Sequence, residues 1–307
     1  MTPVARIGRS DLDVHTLALG GAVLGWTADE AESFAVLDAY AAAGGNFVDS
    51  SNIYADGHSE PIIGRWLDSR GRRDDFVVAT KVGLGDRFPG LRPATIRRAA
   101  EESLRRLGAE RIDLYYTHAD DPRVPVEEII GALDGLVREG KVRAIGASNI
   151  SPERLAAALE FSEHEGLARY EIVQPLYNLV ERDHYEGRLA GVVAEYGLSA
   201  APYASLAGGF LTGAYRPGRS VRSVRAPRAV SHLADPRGRR VLAALDEVAA
   251  ARGAEVASVA LAWLSAQPTV VAPIASADNA RQVPPLLAGV TLELDARELA
   301  LLTAASA

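Results

Sequence analysis

Eight short runs of apolar or β-branched residues recur along the chain, with stretches of helical spacing between them. The runs are Thr16–Gly20, Asn46–Asp49, Phe76–Lys81, Ile112–His118, Val142–Ser148, Glu171–Gln174, Ser199–Tyr203 and Val270–Ile274. Between two of them, Phe34, Leu37 and Ala41 share one face of an amphipathic helix. Nearly continuous apolar strands that alternate with helices are typical of a parallel sheet covered by helices. Eight such units predict a (β/α)8 TIM barrel of the α/β class.

The length of 307 residues fits one barrel, which commonly takes about 250 residues, with additions. We therefore expect a single domain over residues 1–307. Two segments lie outside the repeat. Val4–His15 reads as a β-hairpin that caps one end of the barrel, and Ala214–Pro236 is predicted to be a long loop after the seventh strand.

Charge and composition exclude several classes of partner. The net charge is -7, and the basic residues are scattered, so the basic patch of a nucleic-acid-binding protein is missing. The chain has no Cys, which excludes disulfides and thiolate metal sites. No stretch reaches the roughly 18 apolar residues of a membrane span. We expect a cytoplasmic protein that binds neither nucleic acid nor membrane; the sequence leaves its oligomeric state open.

A polar or ionisable residue closes almost every apolar run, and barrel active sites lie where strands end. These residues are Asp49, Lys81, His118, Ser148 with Asn149, Gln174, Tyr203 and Ser276. Any one of them could simply mark a strand meeting water. Together they predict a site. Lys81 directly follows an apolar strand and needs an anion there, for which Asp49 on the adjacent strand is the obvious partner.

Tyr54 follows Asp49 by five residues and lies on a loop that can fold back over the same end of the barrel. A neighbouring ammonium such as Lys81 stabilises a phenolate and lowers the pKa of a tyrosine, which suits Tyr54 to act as a general acid. His118 could orient or polarise a substrate oxygen. The chemistry that this group predicts is reduction of a carbonyl compound.

Four ordered segments together resemble the aldo-keto reductases. They are Asn46–Tyr54, Ala79–Gly83, Leu114–His118 and Gly140–Asn149. In that family an Asp, Tyr, Lys and His form the catalytic tetrad, with the Tyr as proton donor to the carbonyl oxygen. The resemblance assigns these roles to Asp49, Tyr54, Lys81 and His118.

The resemblance also implies a nicotinamide cofactor. The sequence contains no G-x-G-x-x-G fingerprint after a strand, so a Rossmann domain is not predicted, and nicotinamide binding follows from the resemblance alone. It implies that Ser148, Asn149 and Gln174 hold the carboxamide and that the nicotinamide stacks on Tyr203. The segment around the pyrophosphate would contribute Ser205, Leu206, Gly208, Leu211 and Gly213.

Ser276 and Arg281 match positions that hold a 2′-phosphate in the family, and an Arg fork suits phosphate. The resemblance therefore favours NADPH. NADH stays possible, because Ala275 stands where some members have Lys.

The substrate is expected to be a small carbonyl compound of unidentified structure. Ala119 follows His118 where many members of the family carry Trp, which would widen that side of the pocket. Trp26, Ile53 and the loop Leu84–Leu91 are candidate walls, although ordinary packing explains each equally well.

The residues raise four other functions. A metal-dependent hydrolase would use His118-Ala119-Asp120, but no H-x-H or H-E-x-x-H motif is present, and no metal site is expected. A serine hydrolase would need the second glycine that the segment Gly146–Ile150 lacks. A Schiff-base aldolase on Lys81 stays open. So does a sensor or regulatory subunit that binds a nicotinamide nucleotide on the same fold with little turnover.

Overall fold

The structure is a computed structural model that describes residues 3–216, 218, 221, 224 and 226–307. Its strands are β1 (Val4–Arg6), β2 (Asp13–His15), β3 (Ala18–Gly20), β4 (Phe47–Asp49), β5 (Val77–Val82), β6 (Ile112–Thr117), β7 (Val142–Ser148), β8 (Tyr170–Gln174), β9 (Ser199–Ala200) and β10 (Ile274–Ala275). Its helices are α1 (Glu30–Ala42), α2 (Ser59–Arg70), α3 (Pro93–Leu107), α4 (Val126–Arg138), α5 (Pro152–Glu165), α6 (Arg188–Glu195), α7 (Ala226–Ala234), α8 (Pro236–Arg252), α9 (Val256–Ser265), α10 (Val283–Gly289) and α11 (Ala296–Ala305).

Eight parallel strands form one sheet in the order β10-β3-β4-β5-β6-β7-β8-β9. Its two ends meet, because the Val271 amide donates to the Ala200 carbonyl and the Ile274 amide donates to the Pro202 carbonyl. The sheet therefore curls into a ring with the helices outside it. The predicted (β/α)8 barrel is confirmed.

The last two barrel strands are shorter than the apolar runs that predicted them. Regular pairing covers only Ser199–Ala200 and Ile274–Ala275, whereas the runs extend over Ser199–Tyr203 and Val270–Ile274. Each run contains a proline, Pro202 or Pro273, which has no N–H to donate to the sheet. The chain keeps its direction there but loses the regular ladder.

The prediction of one long loop over Ala214–Pro236 is wrong for its second half. Residues Ala226–Ala234 form α7, and α8 begins at Pro236. Pro227 lies in the first turn of α7, where a proline costs no helical hydrogen bond. Within the predicted loop, Pro217, Arg219, Ser220, Arg222, Ser223 and Arg225 lie outside the described residues.

The hairpin of β1 and β2 closes the N-terminal end of the barrel, as predicted. The Gly8 amide donates to Ser199 Oγ at 2.9 Å, and Asn46 Oδ1 accepts the His15 amide at 2.7 Å. Ser199 begins β9, and Asn46 immediately precedes β4. Both contacts therefore lie at the end opposite the carboxyl ends of the strands.

The apolar core has two layers. One lies inside the barrel and includes Phe47, Leu114 and Ile172 together with side chains of the hairpin. The larger one lies between the barrel and the helices around it. Ser151 caps α5, accepting the Arg154 amide, with Pro152 in the first turn. In the part of the chain that the structure describes, no single helix is long and apolar enough to cross a membrane.

Candidate active site

Lys81 is the centre of a buried cluster at the carboxyl end of the barrel. Its side chain is 0% exposed, and Nζ donates to Asp49 Oδ2 at 2.7 Å, to the Ser50 carbonyl at 2.6 Å and to the Tyr54 hydroxyl at 3.2 Å. Asp49 is the last residue of β4, and Lys81 is the fifth residue of β5. Their side chains meet because neighbouring parallel strands bring their carboxyl ends together. The partner that the sequence assigned to Lys81 is the partner that it has.

Tyr54 reaches this cluster from the loop between β4 and α2. The residues that follow it, Ala55, Asp56 and Gly57, all have positive φ of 50°, 54° and 89°. Two of the three carry a Cβ, which makes this conformation strained. The turn directs the phenol inward, so that its ring lies against Lys81 Nζ at 4.7 Å and edge-on to His118 at 5.9 Å.

Burial and charge oppose each other in this pair. Burial raises the pKa of Tyr54 above its ordinary value, and together with the negative charge of Asp49 it outweighs the opposing effect of the Lys81 ammonium. The expectation that Lys81 brings the pKa of Tyr54 below 10 is therefore wrong for this arrangement. Burial lowers the pKa of Lys81, but Asp49 and Tyr54 together outweigh burial and raise it. At neutral pH the site holds a charged Lys81 and a protonated Tyr54.

His118 stands beside Tyr54 as a neutral imidazole. Burial and the Lys81 ammonium lower its pKa from 6.5 to about 3. Its Nδ1 lies 3.1 Å from Ser51 Oγ. No role was assigned to Ser51 from the sequence, although its position between Asp49 and Tyr54 is a signal that could have found it.

The predicted carboxamide residues form a connected group beside the Lys81 cluster. Ser148 Oγ donates to the Gln174 carbonyl at 2.8 Å, and Asn149 Nδ2 donates to Ser148 Oγ at 3.0 Å. The Tyr203 hydroxyl donates to Asn149 Oδ1 at 2.9 Å. Gln174 Nε2 donates to Asp49 Oδ1 at 2.9 Å, which joins this group to the Lys81 cluster.

Asn149, Gln174 and Tyr203 line a cavity of about 300 Å³ together with Pro175, His184 and apolar residues, and no residue of the Lys81 cluster is part of its lining. Hydroxyl and amide groups beside a half-buried aromatic ring are the donors, acceptors and flat surface that a nicotinamide requires. The residues present therefore fit the cofactor that the resemblance implies.

The predicted pyrophosphate residues follow β9 on a tightly wound segment. Gly208, Gly209 and Gly213 have positive φ of 64°, 95° and 75°, a conformation that favours glycine and lets the backbone approach a ligand closely. Ser205 Oγ donates to the Pro202 carbonyl. Leu211 is fully buried, and its side chain packs in the apolar core between the barrel and the helices. Leu206 is half-buried.

Ser276 and Arg281 follow β10, which is the strand next to β9 where the barrel closes. Ser276 packs against Gly20 of β3, where an added Cβ would lie 2.6 Å from Ser276 Oγ. Arg281 is exposed, and within the described residues its guanidinium takes part in no ion pair.

The candidate substrate walls differ in their surroundings. Trp26 is 54% exposed, whereas Ile53 and Ala119 are half-buried. Ile53 packs against the loop over residues 84–91, since a Cβ on Gly85 would lie 2.7 Å from its Cγ2. The loop therefore contacts Ile53, the residue before Tyr54.

A second buried polar group lies below the Tyr54 loop, and sequence reasoning missed it. Glu60 is 0% exposed and accepts from Thr80 Oγ1 at 2.6 Å and from Arg106 Nη1 at 3.2 Å. A carboxylate on the helix face that also carries Ile63 and Trp66 is the signal that could have revealed it.

Known proteins resemble the chain over most of its length. The model of the Aldo/keto reductase family matches residues 16–307. Norsolorinic acid reductase of Emericella nidulans is 31% identical over 97% of this chain and 79% of that protein. Aryl-alcohol dehydrogenase [NADP(+)] of Phanerodontia chrysosporium is 32% identical over 86% of this chain and 75% of that protein.

A third relative is named as a channel subunit and not as an enzyme. The probable voltage-gated potassium channel subunit beta of Oryza sativa is 32% identical over 90% of this chain and 88% of that protein. A reductase, a dehydrogenase and a channel subunit, as their names give them, are thus similar in sequence to this chain over most of its length. From the match over nearly all of its residues, the chain belongs to the aldo/keto reductase family.

Proposed function

We propose that this protein is an NADPH-dependent carbonyl reductase, in which an aldehyde or ketone, NADPH and a proton give an alcohol and NADP+. The observation that carries the proposal is the single ammonium of Lys81 bound at once to Asp49 and to the hydroxyl of Tyr54. NADPH, when bound, supplies the hydride for the carbonyl carbon.

Tyr54 donates the proton to the carbonyl oxygen. An ammonium has no acceptor, so the Tyr54 oxygen must accept the Lys81 hydrogen bond, and the phenol hydrogen stays available for another acceptor. As the carbonyl oxygen gains charge, the ammonium 3.2 Å from the phenol oxygen stabilises the phenolate left behind. Asp49 holds the ammonium in place for both steps.

His118 orients the carbonyl. Its pKa of about 3 keeps the imidazole neutral at physiological pH, so it acts as a hydrogen-bonding group and does not compete with Tyr54 as an acid. Ser51 fixes the ring through Nδ1.

The preference for NADPH depends on Ser276 and Arg281. A hydroxyl and an exposed guanidinium beyond β10 suit a 2′-phosphate. One relative carries NADP(+) in its name, which supports the same cofactor here.

Replacing Tyr54 tests the proposal. In Tyr54→Phe we expect the turnover number to fall by about 10²- to 10⁴-fold, because the proton donor is lost, while the nucleotide binds as before. The assay is NADPH oxidation across aldehydes, ketones and sugars, with NADH in parallel and nucleotide binding followed by fluorescence. Tyr196→Phe, which removes a hydroxyl that donates to Glu160 on the outer surface, is the matched control. Full activity of a folded Tyr54→Phe would show that another group is the acid.

A second candidate is a nucleotide-binding regulatory subunit with little turnover. It is favoured by the channel-subunit relative from Oryza sativa. Stoichiometric NADPH binding without carbonyl-dependent oxidation by the unmodified protein would favour this candidate over the reductase.

A further inference from the structure

Arg106 of α3 reaches beneath the loop that carries Tyr54. Its side chain is 11% exposed, and Nη1 donates to the Asn52 carbonyl at 2.9 Å and to Glu60 Oε2 at 3.2 Å. The guanidinium also lies against Gly57, where an added Cβ would be 2.7 Å from Nη1. Arg106 therefore contacts the loop on both sides of Tyr54, two residues before it and three after it.

Glu60 connects this arginine to the strand that carries Lys81. Its Oε2 accepts from Arg106, and its Oε1 accepts from Thr80 Oγ1 at 2.6 Å. Thr80 immediately precedes Lys81 on β5. One fully buried carboxylate thus joins the backbone beside Lys81 to the guanidinium that holds the Tyr54 loop.

The loop needs such a hold because its own conformation is unfavourable. Ala55 and Asp56 have positive φ, and a run of this kind persists only where the surroundings impose it. Without Arg106 the loop would lose a backbone hydrogen bond and the surface on which Gly57 rests. Relaxation of the turn would move the phenol away from Lys81, to which it is joined at 3.2 Å.

We propose that Arg106, through its bonds to Asn52 and Glu60, is a positioning residue that sets the separation between Tyr54 and Lys81. This inference rests on the proposed reductase function. It assigns no contact between Arg106 and substrate or cofactor.

The test compares two adjacent arginines. Arg105 lies next to Arg106 on α3, and both arginines pair with Glu102, but the side chain of Arg105 is 66% exposed whereas that of Arg106 is 11% exposed. Arg106→Met is expected to lower kcat by roughly 100-fold, the effect of displacing a reacting group by about 1 Å, while the Kd for NADPH stays unchanged. Arg105→Met is expected to keep the kcat and Kd of the unmodified protein.

Removing Arg106 alone leaves Glu60 charged and buried, which could prevent folding. The double variant Glu60→Gln/Arg106→Met removes that charge and keeps a side chain that can bond Thr80. It is expected to fold and to show the same loss of kcat, with the melting temperature measured alongside. Unchanged kcat in a folded Arg106→Met or in the double variant would overturn the proposal.

A readout without turnover separates this inference from the proposed function. Hydrogen–deuterium exchange over residues 51–58 should be faster in Arg106→Met and in the double variant than in Arg105→Met. If the unmodified protein oxidises no NADPH, the reductase function fails, and exchange still decides whether Arg106 anchors the loop. Equal exchange in all variants would overturn the anchor itself.

Discussion

The two lysines of the chain show how position gives one residue type two different uses. All other basic residues among the 33 are Arg. Lys141 is partly exposed and pairs with Glu101 and with Glu139 at 3.0 Å. Lys81 is fully buried with three acceptors around one nitrogen. A compact ammonium fits three converging acceptors, whereas a planar guanidinium would need a wider space.

Exchange of each lysine for arginine should therefore give opposite results. Lys81→Arg is expected to lower carbonyl reduction by about 100-fold or more, since the guanidinium displaces Tyr54 or Asp49 from the site. Lys141→Arg should keep the rate, because its two carboxylate partners accept either cation. Steady-state kinetics of both purified variants provides the comparison, and equal losses in both would contradict the special role of Lys81.

Sequence reasoning found the pairing of Lys81 with Asp49 because neighbouring parallel strands bring their ends together. It did not find Arg106. Helical spacing places Arg105 opposite the apolar face of α3 and Arg106 beside that face, but spacing does not show that Arg106 reaches Asn52 and Glu60. The pKa of Tyr54 was also beyond its reach. A nearby ammonium can be inferred from spacing, but the degree of burial that outweighs it depends on the whole fold.

At the scale of the elements, the inner layer of the barrel is closely packed around Gly146 of β7. A Cβ there would lie 2.5 Å from the Tyr116 ring and 2.9 Å from Ile172 Cγ2. Gly131, in the middle of α4, has nothing within 4 Å of the same added atom. One glycine is required by its neighbours, and the other only weakens its helix.

Alanine at these two positions should shift stability in opposite directions. Gly146→Ala is expected to lower the free energy of unfolding by about 1–3 kcal/mol through overpacking. Gly131→Ala should raise it by up to about 1 kcal/mol, since alanine favours the helix. Urea unfolding with an unchanged slope gives both values. A stabilised Gly146→Ala protein would mean that the barrel interior has more room than these distances allow.

Patterns of apolar residues predicted every barrel strand but not where each ladder ends. Pro202 and Pro273 lie inside apolar runs that look continuous, yet neither can donate a backbone hydrogen bond. The prediction for α7 failed for a related reason, because basic, proline and glycine residues early in Ala214–Pro236 suggested a loop over the whole segment. Pro227 is compatible with either a loop or the first turn of a helix. The structure shows a helix, which buries Ala229.

For the molecule as a whole, the hairpin and the site occupy opposite ends of the barrel. Ile7, Leu12 and Val14 are buried in the layer inside the barrel, with 0–1% exposure. Leu12→Ala is expected to cost about 2–5 kcal/mol of stability and to leave kcat unchanged below the melting temperature. Val4→Ala, at a side chain that is 56% exposed, is the control and should change stability by less than about 0.5 kcal/mol. A selective fall in kcat for Leu12→Ala would show that the two ends are coupled.

The barrel closes between its two shortest strands, β9 and β10, so we expect this junction to be the weakest part of the sheet. A closed sheet has no free edge on which another chain could pair. If the β9–β10 junction opened, both of these strands would become free edges. The segments proposed to bind the nucleotide begin on either side of it, Ser205 after β9 and Ser276 after β10. A nucleotide bound by both segments would link β9 to β10. Nucleotide binding would therefore stabilise the closed barrel against opening at this junction.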